Sequence, residues 1–207
     1  WLMVAVDWFW FLRGQWYERG KWLAQLTPHR QGLDVNLRLA LLIFVYSAAR
    51  AVEEFQPLDR WKNEIIPLLE ICANPPLQAV GWHFIAATSS SFSESAAAWE
   101  RAIVCARATG NGPSLGPEYC LLADCDFILG VVLWAYATTL IEQGEYTHAL
   151  PLLIESREIF QRRESRYEMA DSFGTLGLLE FLQGDMAQAH MHLQEAVTIA
   201  AAFNYQE

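Results

Sequence analysis

Residues 170–200, ADSFGTLGLLEFLQGDMAQAHMHLQEAVTIA, are the stretch that decides the fold. Apolar residues recur at steps of three and four on both sides of Gln183-Gly184-Asp185. That spacing is typical of two amphipathic helices joined by a short turn. The turn glycine can take the positive φ that the end of a helix often requires. The stretch therefore predicts a helical hairpin.

Small and large residues stand at fixed positions along this hairpin. They are Phe173, Leu176 and Gly177 on the first predicted helix and Ala189, Leu193 and Ala196 on the second. Small residues let two helices approach closely, and large residues fill the space between them. In this pattern the stretch resembles the tetratricopeptide repeat, which implies a right-handed stack of hairpins.

The same pattern precedes it in the chain. The turn there is Gln143-Gly144-Glu145-Tyr146, so the two turn glycines lie 40 residues apart. Leu133, Tyr136 and Ala137 stand before this turn, and Ala149, Leu153 and Ser156 stand after it. The two stretches are therefore predicted to be successive copies of one unit.

Two further copies are predicted nearer the N-terminus. Residues 76–106 turn at Thr88-Ser89-Ser90-Ser91, without glycine, and residues 1–26 turn at Arg13-Gly14-Gln15. Because stacked units bury their apolar faces against one another, we expect an all-α solenoid of about five antiparallel helical hairpins. It would form one repeat domain over residues 1–207, with units at approximately 1–30, 33–74, 76–110, 118–164 and 166–203 and an inserted loop at 110–117.

The composition excludes several classes of protein. Of the 207 residues, 14 are Lys or Arg and 24 are Asp or Glu, giving a net charge of -10. Direct nucleic-acid binding is not expected, because it needs a basic face for the phosphates. The apolar runs 1–12, 39–49 and 127–141 fall short of the ~20 residues of a membrane span, so a membrane protein is not expected either.

The cysteines indicate a reducing compartment. Cys72, Cys105, Cys120 and Cys125 include no CxxC pair, and the chain shows no secretion signal. We therefore expect free thiols that are buried as small apolar residues, and a cytoplasmic protein.

No motif predicts catalysis. Gly112-Pro113-Ser114-Leu115-Gly116 matches G-x-S-x-G but follows no predicted strand, which a hydrolase elbow requires. Gly20-Lys21 is followed by Trp22 rather than by Ser or Thr, so it is not a P-loop. His190 and His192 stand two apart on a predicted helix and point in different directions. We expect no enzyme activity, no cofactor and no metal site.

A basic cluster interrupts the acidic C-terminal region. It consists of Arg157, Arg162, Arg163 and Arg166. The favoured interpretation is a helix C-terminus, whose last carbonyl groups attract cations. The alternative is a patch that docks a partner.

The tetratricopeptide resemblance also implies a binding surface. In such arrays the first helix of each unit lines the inner, concave wall, where a peptide or helix can lie. By repeat phase, the wall is expected to include Trp8, Phe11, Phe84, Trp134, Thr138, Glu142, Asp171, Thr175, Leu178 and Leu182. For any single tryptophan, the alternative is a place in the core between units.

The N-terminal stretch carries a second resemblance. Asp7-Trp8-Phe9-Trp10-Phe11-Leu12-Arg13-Gly14, followed by Glu18, Trp22 and Leu23, resembles the segment after the nucleotide-binding module of bacterial STAND-type regulators. Here Arg19-Gly20-Lys21 stands where that family usually has Gly-Arg-Arg. The resemblance implies that ATPase and DNA-binding domains adjoin this stretch in a longer parent chain, as the missing initiator Met also suggests.

These observations predict recognition without catalysis. The favoured function is the sensor or regulatory segment of a STAND-type signalling ATPase or transcriptional regulator, which binds a protein, a peptide or an unknown small-molecule effector. The alternative is a free-standing adaptor that scaffolds a protein complex. Homo-oligomerisation through the end units stays open, because repeat arrays often expose an apolar end face.

Overall fold

The computed structural model describes residues 16–48, 58–108 and 125–204, and within these ranges it contains nine α-helices and no strand. The predicted all-α fold of helical hairpins is confirmed. The predicted turn at Arg13-Gly14-Gln15 and the predicted loop 110–117 lie outside the described residues, and the division into five units stays a prediction. The helices are α1 (Trp16–Leu26), α2 (Val35–Ala48), α3 (Leu58–Ile71), α4 (Pro75–Ala87), α5 (Phe92–Ala108), α6 (Cys125–Glu142), α7 (Tyr146–Arg162), α8 (Arg166–Gln183) and α9 (Met186–Asn204), with a 3-10 helix (Thr27–Gly32) after α1.

The chain forms two compact modules. The N-terminal module is Trp1–Cys125 and the C-terminal module is Asp126–Glu207. No helix in the described parts of the chain is both long enough and apolar enough to cross a membrane.

Hydroxyl groups replace glycine at the hairpin turn of the N-terminal module. Thr88 Oγ1 donates to the carbonyl oxygen of Phe84 at 2.8 Å, and Ser89 Oγ donates to that of Ile85 at 2.8 Å. From α5, Ser95 Oγ donates to the carbonyl oxygen of Ala86 at 2.9 Å. Because these side chains satisfy the last carbonyl groups of α4, the helix ends at this turn without a left-handed residue.

An ion-pair network fastens α3 to the segment before it. Glu64 on α3 lies 3.0 Å from Nε of Arg30 and 2.6 Å from Nη2 of Arg38, and all three side chains are mostly buried. The guanidinium of Arg30 also lies over the ring of buried Trp61, 5.6 Å from its centroid. A single carboxylate therefore neutralises two arginines that come from different elements.

His83 on α4 is a half-buried ionisable side chain of the N-terminal module. Its ring meets Phe84 and Trp99 edge-on, with centroids 5.3 and 5.1 Å away. Its Nδ1 atom is buried and has no hydrogen-bond partner among the described residues. Burial favours the neutral ring and lowers the pKa of His83 from 6.5 to about 4.

The lowered pKa of His83 predicts that the folded protein loses stability as the pH falls. As the pH falls below 6.5, the unfolded chain takes up the proton first, and the folded state loses stability until the pH reaches about 4. Between pH 7 and pH 4.5 we expect the wild type to lose about 2 kcal/mol relative to His83→Leu. Urea titrations followed by circular dichroism at both pH values measure this difference. The exposed His29→Leu serves as the control, and an equal loss in wild type and His83→Leu would contradict the prediction.

Left-handed residues end three helices of the C-terminal module. Gly144, Glu164 and Gly184 follow α6, α7 and α8 with φ of 79°, 54° and 87°. After each, the next N–H bonds the carbonyl oxygen five residues back: Glu145 to Leu140, Ser165 to Phe160 and Asp185 to Glu180, at 2.9 to 3.0 Å. The positive φ predicted for the turn glycines is confirmed.

The core of the C-terminal module joins α6, α7 and α8. Leu153 of α7 is fully buried in a cluster with residues of α6, α7 and α8, namely Ala137, Leu140, Ile141, Ala149, Leu176 and Leu179. Behind it, Ser156 Oγ donates to the carbonyl oxygen of Gly130 at 2.8 Å. Gly177 of α8 lies so close to α9 that a Cβ there would come within 2.6 Å of Leu193 Cγ. The small residues predicted at these positions therefore allow close helix packing.

Candidate recognition surface

Seven of the ten predicted wall residues lie on two helices of the C-terminal module. Trp134, Thr138 and Glu142 stand at steps of four on α6, and Asp171, Thr175, Leu178 and Leu182 stand at steps of four, three and four on α8. Such spacing places each set on one face of its helix. We call these seven residues the α6–α8 wall.

A hydrogen bond joins the two halves of the α6–α8 wall. Trp134 Nε1 on α6 donates to Thr175 Oγ1 on α8 at 2.9 Å. Thr175 Oγ1 in turn donates to the carbonyl oxygen of Asp171 at 2.9 Å, and Thr138 Oγ1 donates to that of Trp134 at 3.0 Å. These three side chains are half-buried. Two residues that are 41 positions apart in sequence thus form one continuous surface.

The far end of the wall is apolar and exposed. Leu178 is 47% exposed and Leu182 is 43% exposed, and the carboxylate of Glu142 is exposed on α6. Exposed leucines on one helix face leave apolar surface in water that a partner can cover. This end of the wall therefore has the chemistry of a contact surface.

Asp171 is the titratable group at the other end of the wall. Its side chain is half-buried, and burial raises the pKa of its carboxyl group. Within the described part of the chain, no hydrogen bond or ion pair is made by its carboxylate oxygens. A buried carboxylate gains most from a cation or an N–H donor that comes to it, so Asp171 suits a basic or hydrogen-bond-donating group of a ligand.

The other three predicted wall residues do not belong to α6 or α8. Phe84 is half-buried on α4 in the N-terminal module, with its ring edge-on to His83. Trp8 and Phe11 lie outside the described residues. For these three, the wall position stays a prediction.

The basic cluster spans the end of α7 and the start of α8. Arg162 lies in the last turn of α7 and Arg163 caps it, as the helix-terminus interpretation predicts. Arg166 instead opens α8. Arg157 lies further back, half-buried, with its guanidinium 5.8 Å from the ring centroid of Phe173. Helix-end electrostatics therefore accounts for Arg162 and Arg163 only.

The N-terminal module has a cleft that the sequence did not indicate. It has a volume of about 470 Å³ and is lined by residues of α3, α4 and α5. Arg101 of α5 pairs with Glu70 of α3 at 2.6 Å and lies over the Trp82 ring, 4.6 Å from its centroid. Cys105 also lines the cleft, and burial raises the pKa of its thiol. The cleft is a second candidate for ligand contact.

The residues considered for chemistry do not assemble into a reactive site in the described ranges. The G-x-S-x-G motif at 112–116 lies outside them. His192 Nδ1 lies 2.7 Å from Glu180 Oε2, so this histidine is engaged within its own hairpin. In the described ranges, no three His, Cys, Asp or Glu residues are placed to hold a metal ion. Cys72 is buried and Cys105 half-buried, both as free thiols.

Comparison with known proteins agrees with the hairpin geometry. Residues 129–202, which include most of α6 to α9, match the family model of the tetratricopeptide repeat. No curated protein and no solved structure gave a significant match. The match covers the two hairpins whose turn glycines lie 40 residues apart. The chain therefore carries a tetratricopeptide-like repeat segment in its C-terminal module.

Proposed function

We propose that this chain is a non-catalytic recognition domain whose α6–α8 wall binds a segment of another protein. The observation that carries the proposal is the wall itself, with Leu178 and Leu182 exposed beside a hydrogen-bonded polar group at Trp134 and Thr175. Tetratricopeptide repeats are protein-interaction modules, and the match at residues 129–202 supports such a role.

The side chains of the α6–α8 wall indicate which chemical groups a partner would bring to it. Leu178 and Leu182 favour apolar side chains in the partner, since covering the exposed half of each leucine contributes about 1 kcal/mol. Asp171 and Glu142 call for a cation or N–H donor nearby. The expected partner is therefore an amphipathic helix or peptide that carries Lys or Arg beside its apolar residues.

Selection from a displayed peptide library against the purified chain tests the wall. We expect enriched peptides to combine apolar and basic residues, and Leu178→Asp and Leu182→Asp each to weaken their binding at least tenfold. Ile154→Asp is the matched control, because Ile154 is a similarly exposed apolar residue on α7. Calorimetry with one enriched peptide measures the affinities. If Ile154→Asp weakened binding as much as the wall variants, the wall would not be the binding surface.

We further propose that the parent protein is a bacterial STAND-type regulator in the cytoplasm, with this chain as its sensor or regulatory segment. The support is the segment at residues 7–14, with Trp22 and Leu23 after it. Ligand binding to the repeats would shift the parent from a closed to an assembly-competent state. The free thiols of Cys72 and Cys105 agree with a reducing compartment.

Sequencing the gene upstream of the codon for residue 1 distinguishes a STAND-type parent from a free-standing adaptor. A P-loop ATPase module encoded in frame before the repeats is the expected result. An open reading frame without such a module would leave the free-standing adaptor, with which the tetratricopeptide match is equally compatible.

A further inference from the structure

The α8–α9 hairpin has a surface equivalent to the one that α8 covers on the α6–α7 hairpin. In the α6–α7 hairpin, Ile141 and Leu153 belong to the buried cluster that includes Leu176 and Leu179 of α8. Arg157, one turn after Leu153, lies against the ring of Phe173 of α8. Positions 141, 153 and 157 therefore mark the side of this hairpin on which α8 packs.

Forty residues later the equivalent positions are apolar and uncovered. Phe181 is 52% exposed where Ile141 is 6% exposed, and Leu193 is 43% exposed where Leu153 is fully buried. Val197, at the position of Arg157, is 67% exposed. We call Phe181, Leu193 and Val197 the end face. The end face stands where the α6–α7 hairpin contacts α8, but in the α8–α9 hairpin these residues are exposed.

The low charge of α9 also indicates a surface that another molecule covers. This helix, Met186–Asn204, contains one acidic residue, Glu195, and no Lys or Arg, although the whole chain carries a net charge of -10. Among its described side chains only Ala189 is buried. A helix at a protein surface normally carries charged residues on its outer side. Such a composition is typical of a helix that is covered by another molecule.

We propose that a second copy of this chain covers the end face, with α9 packed against α9 of the partner about a twofold axis. Two acidic chains repel each other, and the single acidic residue of α9 keeps that repulsion small where the two helices would meet. Leu193 and Val197 are four residues apart on one stripe, so identical stripes can pack in a self-complementary contact.

The last hairpin offers a contact at the lower end of the size range of specific interfaces. A helix of 19 residues is about 28 Å long, and two helices side by side are about 20 Å wide. The face is therefore on the order of 550 Å², which approaches the ~800 Å² that each partner buries in a standard interface. The wall residues on α6 lie outside the last hairpin, whereas Leu178 of the wall stands three residues before Phe181 on α8.

Sedimentation velocity of the 207-residue chain between about 1 and 100 µM tests the proposal. We expect the mass to rise from 23.5 kDa towards about twice that value with concentration. Val197→Lys places two ammonium groups in the contact, and we expect it to raise the dimer dissociation constant at least 30-fold. Val104→Lys is the matched control, because Val104 on α5 is also 67% exposed.

Three results would overturn the proposal. They are a monomer at every concentration, a dimer that Val197→Lys leaves intact, and equal weakening by Val104→Lys. Circular dichroism of each variant checks that the fold is retained, and Phe181→Lys gives a second variant if Val197→Lys does not fold. Glu142→Lys changes an exposed wall residue on α6, outside the last hairpin, and is expected to leave the dimer unchanged, which separates a failure here from a failure of the wall.

Discussion

Replacing Leu153 by Ala is expected to lower the free energy of unfolding by about 4 kcal/mol. Leu153 is fully buried in the cluster that joins α6, α7 and α8. The change removes three carbon atoms and leaves a cavity that close-packed neighbours fill only in part. Urea unfolding at pH 7, followed by circular dichroism and extrapolated linearly, measures the loss.

The same substitution forty residues later is the control. Leu193 occupies the equivalent position in the next hairpin but is 43% exposed, so Leu193→Ala is expected to lower the free energy of unfolding by about 1 kcal/mol. Both measurements are made near 1 µM, where the proposed dimer contributes least. Equal losses at the two positions would show that burial does not differ between the hairpins as the structure describes.

Replacing Glu64 by Gln is expected to lower the free energy of unfolding by about 3 kcal/mol. Gln keeps the size of the side chain but removes the charge that neutralises Arg30 and Arg38. Two mostly buried guanidinium groups then lie beside each other without a carboxylate, and breaking a buried ion pair costs about 3–5 kcal/mol. Urea unfolding at pH 7 measures this effect too.

Glu70→Gln is the control for the network. Glu70 pairs with Arg101 at 2.6 Å, but both side chains are more than half exposed, and an exposed pair contributes about 0–1 kcal/mol. If Glu64→Gln destabilised the protein no more than Glu70→Gln, the network would not hold the N-terminal module together.

The effect of Glu64 also depends on pH. Burial raises the pKa of this carboxyl group, but the hydrogen bonds and charges of Arg30 and Arg38 outweigh burial and lower it below 4.5. The network therefore contributes fully above pH 4.5, and its contribution is lost as the pH falls through the lowered value. We expect the difference between wild type and Glu64→Gln to shrink in that range. His83 is present in both proteins, so its titration cancels in the comparison.

Local sequence patterns were sufficient to predict the helices and the left-handed glycines that end two of them. The three- and four-residue spacing of apolar residues predicted both hairpins of the C-terminal module, and Gly144 and Gly184 took the predicted positive φ. Glu164 ends α7 in the same conformation, and nothing in the sequence indicated it. Glycine adopts that conformation without strain, whereas in a glutamate the Cβ approaches the following carbonyl oxygen, so residue preference does not predict it there.

The sequence predicted only part of the candidate surface. Repeat phase placed Trp134 and Thr175 on one wall, and their hydrogen bond joins them. Phase alone did not single out Phe181, because its equivalent in the preceding hairpin, Ile141, is buried. The cleft beside Arg101 and Glu70 was also unpredicted, since it depends on how three successive helices pack, which the periodicity within each helix does not determine.

The sequence by itself determined the helices, their pairing into hairpins and the small residues at which they approach, because these depend on neighbours within a few positions. The tertiary structure alone decided which apolar residues are covered. Leu153 and Leu193 occupy the same place in the same pattern, yet one is fully buried and the other 43% exposed. The difference arises because burial is a property of the helix packed on the other side, and in this structure α8 covers the first of these hairpins while the second leaves its face open.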